Sequence, residues 1–278
     1  MENPIRVAIL DLYEGVANEG MRCIRAMLHN FKTTHHSALH CDEFDVRSQN
    51  ELPGIEYDIY ISTGGPGSPL ESEGSAWERN YFQLINMLVE WNKNNHHTKK
   101  KHVFFICHSF QLACRFFEIG QVIKRKSTAF GVFPLHPLEN AKRELVFHGL
   151  NDPFYCVDSR DYQVLQTDVE KLHQMQGELL CLEKERPHVP LERATMAIRF
   201  NPYMIGTQFH PEADATGMSM YLMREDKKQM VINNHGEAKW TSMIEQLNDP
   251  DKIEMTNSHI LPNFMKHAVD AILNHVDN

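Results

Sequence analysis

The sequence predicts an α/β protein built on a mostly parallel sheet with helices on both faces. Three observations lead there. Short apolar runs alternate with stretches of helical spacing from residue 5 to residue 118. The run His102-Val103-Phe104-Phe105-Ile106 is apolar almost throughout, as a strand buried on both faces must be. Two of the runs empty into segments that can carry chemistry, Gly64-Gly65-Pro66-Gly67 and Cys107, as expected where reactive groups gather at the carboxyl ends of parallel strands.

Each element follows from its pattern. Ile5 to Leu10 is a β-prone run ending at Asp11, and residues 18–30 carry apolar side chains at helical spacing, Met21, Ile24, Met27 and Leu28. Tyr57 to Ser62 is a second strand, opening into a loop whose glycines reach conformations other residues resist. Helices are expected from Ser75 to Trp91 and, after Cys107, from Ser109 to Glu118. Between Gly120 and Phe209 the runs are short and β-like: Gln121 to Ile123, Phe154 to Val157, Ala194 to Phe200 and Met204 to Phe209. Helix returns from Met218 to Ile232 and from Leu261 to Leu273, while the polar stretches Asn92 to Lys101 and Glu183 to Arg193 read as surface loops. Without repeats or a linker, the chain divides into an α/β domain over residues 1–212 and a helical C-terminal extension over residues 213–278. The extension is expected to pack on the same domain; a partner or homo-oligomer surface is the alternative.

Composition narrows the function. With 278 residues, 42% of them hydrophobic and 23% charged, the chain can bury a full core. A net charge of −9 argues against nucleic acid or a membrane surface, both of which call for clustered cations. The sequence shows neither a basic leader followed by an apolar stretch nor a segment long enough to span a bilayer, so a cytoplasmic protein is expected. The six cysteines form no C-x-x-C pair, and no metal or cofactor is expected.

A cysteine at a sharp turn between a buried strand and a helix presents its sulfur above the sheet, where the helix N-terminus favours negative charge. Cys107 is therefore a candidate nucleophile; the plain alternative is a small buried residue ending a strand. Gly206-Thr207-Gln208-Phe209-His210-Pro211-Glu212 delivers an imidazole and a carboxylate from the end of another apolar run, the pair a thiol needs for proton transfer. Singly, His210 is also readable as a surface histidine and Glu212 as a first-turn helix carboxylate. The glycine loop can offer backbone N–H groups to an oxyanion, or be an ordinary turn.

These pieces, in this order, resemble the class-I glutamine amidotransferases, whose fold is flavodoxin-like. Gln208-Phe209-His210-Pro211-Glu212 matches the family's Q-F-H-P-E run without a change. Ile61 to Ser68 matches its S-x-G-P-G-type loop, and Phe105 to Ala113 its G-x-C-x-G-x-Q elbow in the Cys and the Gln. Phe105 and Ser109 replace the two elbow glycines, and side chains there are expected to crowd the approach of strand to helix. Ile119 to Val122, Phe130 to Leu135 and Asp158 to Val164 also look like family strands, with Arg160 where the family often carries histidine. The resemblance implies a triad of Cys107, His210 and Glu212, oxyanion donors at Gly65 and His108, and glutamine contacts at Gly67 and Gln111. It further implies glutamine as substrate, a cysteinyl thioester, and ammonia released to an unknown acceptor or a separate synthetase subunit, since no phosphate-cradling loop occurs in this chain. Two other readings stay open: a γ-glutamyl hydrolase or homoserine acyltransferase on the same scaffold, or a non-catalytic binding or regulatory homologue. A thiol-activated oxidative-stress protein fits less well, because that group does not resemble the Q-F-H-P-E run.

Overall fold

The computed structural model describes residues 4–274 apart from 17, 36–37, 189, 248 and 250. Its main sheet has seven strands in the order β2 (Leu39–Asp45), β1 (Ile5–Asp11), β3 (Ile59–Ser62), β4 (His102–Ile106), β9 (Met204–Thr207), β8 (Thr195–Asn201) and β7 (Glu178–Leu182). The first five are mutually parallel, and the last two run antiparallel to their neighbours. This is the mostly parallel, helix-flanked architecture that the sequence pattern predicts.

Side chains alternate across the sheet with the period of two that a strand imposes. Val7, Ile9, Ile59, Ile61, Phe104 and Ile106 face one core, packed under α1 (Glu19–Thr34) and α8 (Ile253–Asn274). Ala8, Leu10, Tyr60, Val103 and Phe105 face the other, packed under α2 (Ala76–Lys93) and α3 (His108–Phe117). Caps set where these helices begin: Asn18 accepts from the Met21 N–H and Ser75 from the Glu78 N–H.

Several elements lie outside the pattern reading, each for a physical reason. Strand β2 is an edge strand with Leu39 alone buried and with Asp42, Glu43 and Asp45 among its seven residues, so it offers no apolar run. Strand β5 extends from Gln121 to Leu135 and pairs antiparallel with β6 (Phe154–Leu165) as a separate two-stranded ribbon; its cationic Lys124-Arg125-Lys126 stretch hides it. The helix expected over 218–232 is two helices, α5 (Ala215–Met223) and α6 (Glu225–His235), broken where Arg224 adopts an extended backbone. Helix α7 (Glu237–Leu247) follows, and α8 starts eight residues before the expected Leu261. Helices α5 to α7 share a third core with the ribbon, through Met218, Leu222, Val231, Met243 and Leu247 against Phe130, Val132 and Val157.

The crowding expected at Phe105 does not arise, because the sheet supplies the missing glycine from the adjacent strand. Register places Phe105 opposite Gly206, and a Cβ on Gly206 would stand 2.9 Å from Phe110 Cδ2 and 3.1 Å from Phe105 Cβ. Phe105 thus packs edge-on against Phe200, with ring centroids 5.8 Å apart. Replacing Gly206 by alanine pushes atoms into a filled core, so Gly206→Ala is expected to lower unfolding free energy by about 1–3 kcal/mol in urea titration. An unchanged midpoint would show that the Phe105 pocket has slack.

Candidate active site

The site forms at the carboxyl ends of three adjacent strands. Strand β4 ends at Cys107, which adopts φ 48° and ψ −95°, a region that side chains rarely occupy. The turn is pinned on every side. The Cys107 N–H donates to Thr207 O at 2.8 Å. The Ile106 N–H donates to Ser109 Oγ at 2.8 Å, and that hydroxyl donates to Ser62 O at 2.7 Å, joining the elbow to the end of β3. Ser109 therefore acts as a polar strap where the amidotransferase pattern has glycine.

Strand β9 delivers His210. Its Nδ1 is 2.8 Å from Glu212 Oε1, and Cys107 lies close enough to the imidazole to act on it electrostatically. Burial alone would drive the proton off this ring, but the Glu212 carboxylate and then the Cys107 sulfur outweigh it and hold its pKa well above the ordinary histidine value. Glu212 is buried with Oε2 lacking a hydrogen-bond partner among the described residues, and its backbone carbonyl accepts from Asn257 Nδ2 of α8 at 2.7 Å. The structure thus brings the three residues of the expected triad together on one cavity.

The glycine loop closes the other side. A Cβ at Gly64 would stand 2.9 Å from His210 Cε1, and one at Gly65 only 2.4 Å from Leu12 O, so neither position tolerates a side chain without movement. Gly65, Gly67 and His108 all line the cavity above Cys107. As the first residue of α3, His108 has no helical carbonyl to accept its N–H, which leaves that donor available at the cavity floor. Gln111 also lines the cavity, but its Nε2 donates to Tyr162 O at 3.2 Å and to Gln208 Oε1 at 3.1 Å. Gln208 Nε2 in turn lies 3.7 Å from Cys107 Sγ, so the two amides form a chain that ends on that sulfur.

Residues outside the predicted set complete the space. Tyr13, just past β1, places its hydroxyl 3.2 Å from where a Gly64 Cβ would stand. Burial, then the Glu212 and Cys107 charges, raise its pKa well above the usual phenol value, so it remains a donor. Its one legible signal is position, at the carboxyl end of a strand. Arg160, with a side chain 1% exposed, donates through Nε to both oxygens of Asp158 at 2.9 and 3.0 Å. Its Nη1 has no acceptor among the described residues. The ribbon is held over the sulfur because the His210 N–H donates to Val157 O at 2.9 Å, which brings Ser159 O to 3.8 Å from Cys107 Sγ.

The C-terminal helices wall the cavity as well as packing on the sheet. Asp214 accepts from the Gly217 N–H at 2.6 Å to cap α5 and pairs with Arg22 of α1 at 2.6 Å. Helix α5 then contributes Met218, Met220 and Tyr221 to a cavity of about 850 Å³, with Arg224 and Lys227 beside them. Among the described residues no cluster of three His, Cys, Asp or Glu side chains is disposed to hold a metal, and no helix is long and apolar enough to cross a membrane.

The buried ring of His108 has a testable consequence. Desolvation, then Arg47 and Arg115, push its pKa down to about 3, and its Nε2 has no partner. A depressed histidine contributes stability that is intact above the unfolded-state value near 6.5 and is lost as pH falls toward the folded value. His108→Leu is therefore expected to lose about 2 kcal/mol less stability than the parent between pH 7.5 and pH 5.0. Parallel denaturant titrations at the two pH values measure it, and equal losses would mean that the ring is solvated.

Comparison with known proteins follows this geometry. The structure resembles a glutamine amidotransferase from Thermotoga maritima at a TM-score of 0.65 and 14% identity, covering 97% of this chain and 100% of that one. It resembles one from Methylobacillus flagellatus at 0.60 and 14%, covering 98% and 94%. At such identities the likeness is one of fold. In sequence, a homoserine O-acetyltransferase from Acetivibrio thermocellus is 27% identical over 123 residues, 44% of this chain and 37% of that relative, so the match spans just over a third of the relative's length. A family model described as homoserine O-succinyltransferase matches residues 16–233, from before α1 into α6, with Cys107, His210 and Glu212 all inside the matched span. The class-I amidotransferase resemblance thus holds for the fold, while the family is the branch that the sequence reading held as an alternative: the chain belongs to the homoserine O-succinyltransferase family.

Proposed function

We propose that this protein transfers an acyl group from an activated donor, such as a thioester, to the hydroxyl of homoserine or a similar hydroxy amino acid, through an acyl-cysteine at Cys107. The observation that carries the reading is the Cys107–His210–Glu212 group inside the family-matched segment. In the first half-reaction the Cys107 thiolate attacks the donor carbonyl. The N–H groups of Gly65 and His108 receive the oxyanion, and His210 gives its proton to the departing thiol. In the second, His210 takes the proton of the acceptor hydroxyl, the alkoxide attacks the thioester, and Cys107 leaves as thiolate. Arg224 and Lys227 line the cavity and share the single carboxylate of Asp226, which leaves a positive charge suited to the carboxylate of an amino-acid acceptor.

Two features favour acyl transfer over glutamine hydrolysis. The Gln111 amide nitrogen, the expected glutamine contact, is already committed to Tyr162 and Gln208. The cavity, with Met218, Met220 and Tyr221 on one wall, is larger and more apolar there than a glutamine side chain needs. Glutamine hydrolysis by the same triad, with His210 protonating ammonia, is the second reading; it rests on the loop and elbow residues Gly65, Gly67 and His108, which line the cavity in the positions that chemistry uses.

Intact-protein mass spectrometry separates the two. Incubated with succinyl- or acetyl-coenzyme A, the protein is expected to gain one acyl mass, absent in Cys107→Ala and discharged by homoserine. Glu212→Gln is expected to slow discharge roughly 100-fold or more, because the imidazole loses the partner that orients it. Ammonia from glutamine without acylation by either thioester would overturn the acyltransferase reading in favour of the glutaminase.

A further inference from the structure

A second cavity of about 280 Å³ lies behind the first, and Thr128 and Phe130 line both, so the two spaces share one wall. Its acidic groups are Asp158 and Glu183, and both are spoken for. Each oxygen of Asp158 accepts from Arg160 Nε, Glu183 Oε1 faces Arg125 at 3.2 Å and Arg160 at 3.4 Å, and Glu183 Oε2 accepts from Arg186 at 2.9 Å. Lys184 and Lys239 line the same cavity and have no carboxylate partner among the described residues. Instead both ammonium groups stand over the ring of Phe133, each 5.6 Å from its centroid. One comes from the segment after β7 and the other from α7, so separate elements converge two cations on one ring.

Two ammonium groups lining one cavity without a carboxylate partner among the described residues leave it a positive excess, which a bound anion would offset. The ring itself attracts either cation but cannot neutralise both. Arg160, which lines the first cavity, is bound to Asp158 and Glu183 of the second, and its Nη1 has no hydrogen-bond partner among the described residues. We propose that this second cavity binds an anionic group, a carboxylate or a phosphate, carried by the acyl donor while its carbonyl lies at Cys107. The anion site itself stands on the charges; its assignment to the donor rests on the acyl-transfer reading. A phosphate would belong to the donor's carrier, and a carboxylate to the acyl chain.

Titration calorimetry on the wild-type protein at constant ionic strength, with inorganic pyrophosphate and with succinate in separate runs, tests it. Saturable binding of at least one is expected, weakened tenfold or more in the double variant Lys184→Gln/Lys239→Gln. That variant should keep the parent's rate of Cys107 alkylation by iodoacetamide, which certifies an intact fold and thiol site. Binding of pyrophosphate alone assigns the carrier phosphate, and binding of succinate alone the acyl carboxylate. Binding of neither, or binding indifferent to the two lysines, overturns the proposal. Because no turnover is involved, this result is independent of whether Cys107 is acylated.

Discussion

The structure depends on one backbone constraint, the positive φ of Cys107 between β4 and α3. A non-glycine residue in such a region is destabilised by about 1–3 kcal/mol and persists only where its surroundings over-determine it. Here they do. The Thr207 carbonyl fixes the Cys107 N–H, Ser109 Oγ joins Ile106 to Ser62, and Gly206 makes room for Phe105. Because Ile106 pairs with Thr207, strands β4 and β9 end abreast, and Cys107 and His210 arrive from adjacent strands. The glycine loop leaves β3 on the opposite flank of β4. Strand order alone therefore assembles thiol, imidazole and backbone donors around one point.

A second layer of order comes from the buried charges of the β5–β6 ribbon. Arg160 is nearly inaccessible, and an uncompensated guanidinium there would be strongly destabilising; Asp158 and Glu183 neutralise it. Glu183 also receives Arg125 and Arg186, so one carboxylate serves three guanidinium groups. The positive excess falls on the ribbon beside the thiol cavity, in a chain whose overall charge is −9. Local charge and net charge thus point in opposite directions, and composition is silent about the region that would receive an anion.

What could be read from the sequence follows the same division. Cys107, His210 and Glu212 were legible because each ends or follows a strongly apolar run, where pattern and chemistry coincide. Strand β2 and helix α7 were not, because an edge strand and a helix packed on a ribbon need no continuous apolar stretch. The compensation of Phe105 by Gly206 is invisible in one dimension, since register across the sheet, not proximity in the chain, sets the two residues side by side. Tyr13 had no motif around it. The fold resemblance was legible, but its branch was not, because the Q-F-H-P-E run describes the proton machinery and leaves the acceptor unspecified.

On the acyl-transfer proposal, the acceptor is decided by what surrounds Cys107, His210 and Glu212 once the sulfur is acylated. With the thiolate consumed, the Cys107 charge no longer helps hold the proton on His210, leaving Glu212 against desolvation. The imidazole becomes a better base at the step where a hydroxyl must be deprotonated. Water would serve as well as an amino-acid hydroxyl unless excluded, and the wall of Met218, Met220 and Tyr221 supplied by α5 borders the space from which it would come. Asp214 fixes the start of that wall to α1, and Asn257 fixes Glu212 to α8. On that proposal α5 acts on the reaction through access: the strands set the bond chemistry, and the residues of α5 that line the cavity bear on which nucleophile ends it.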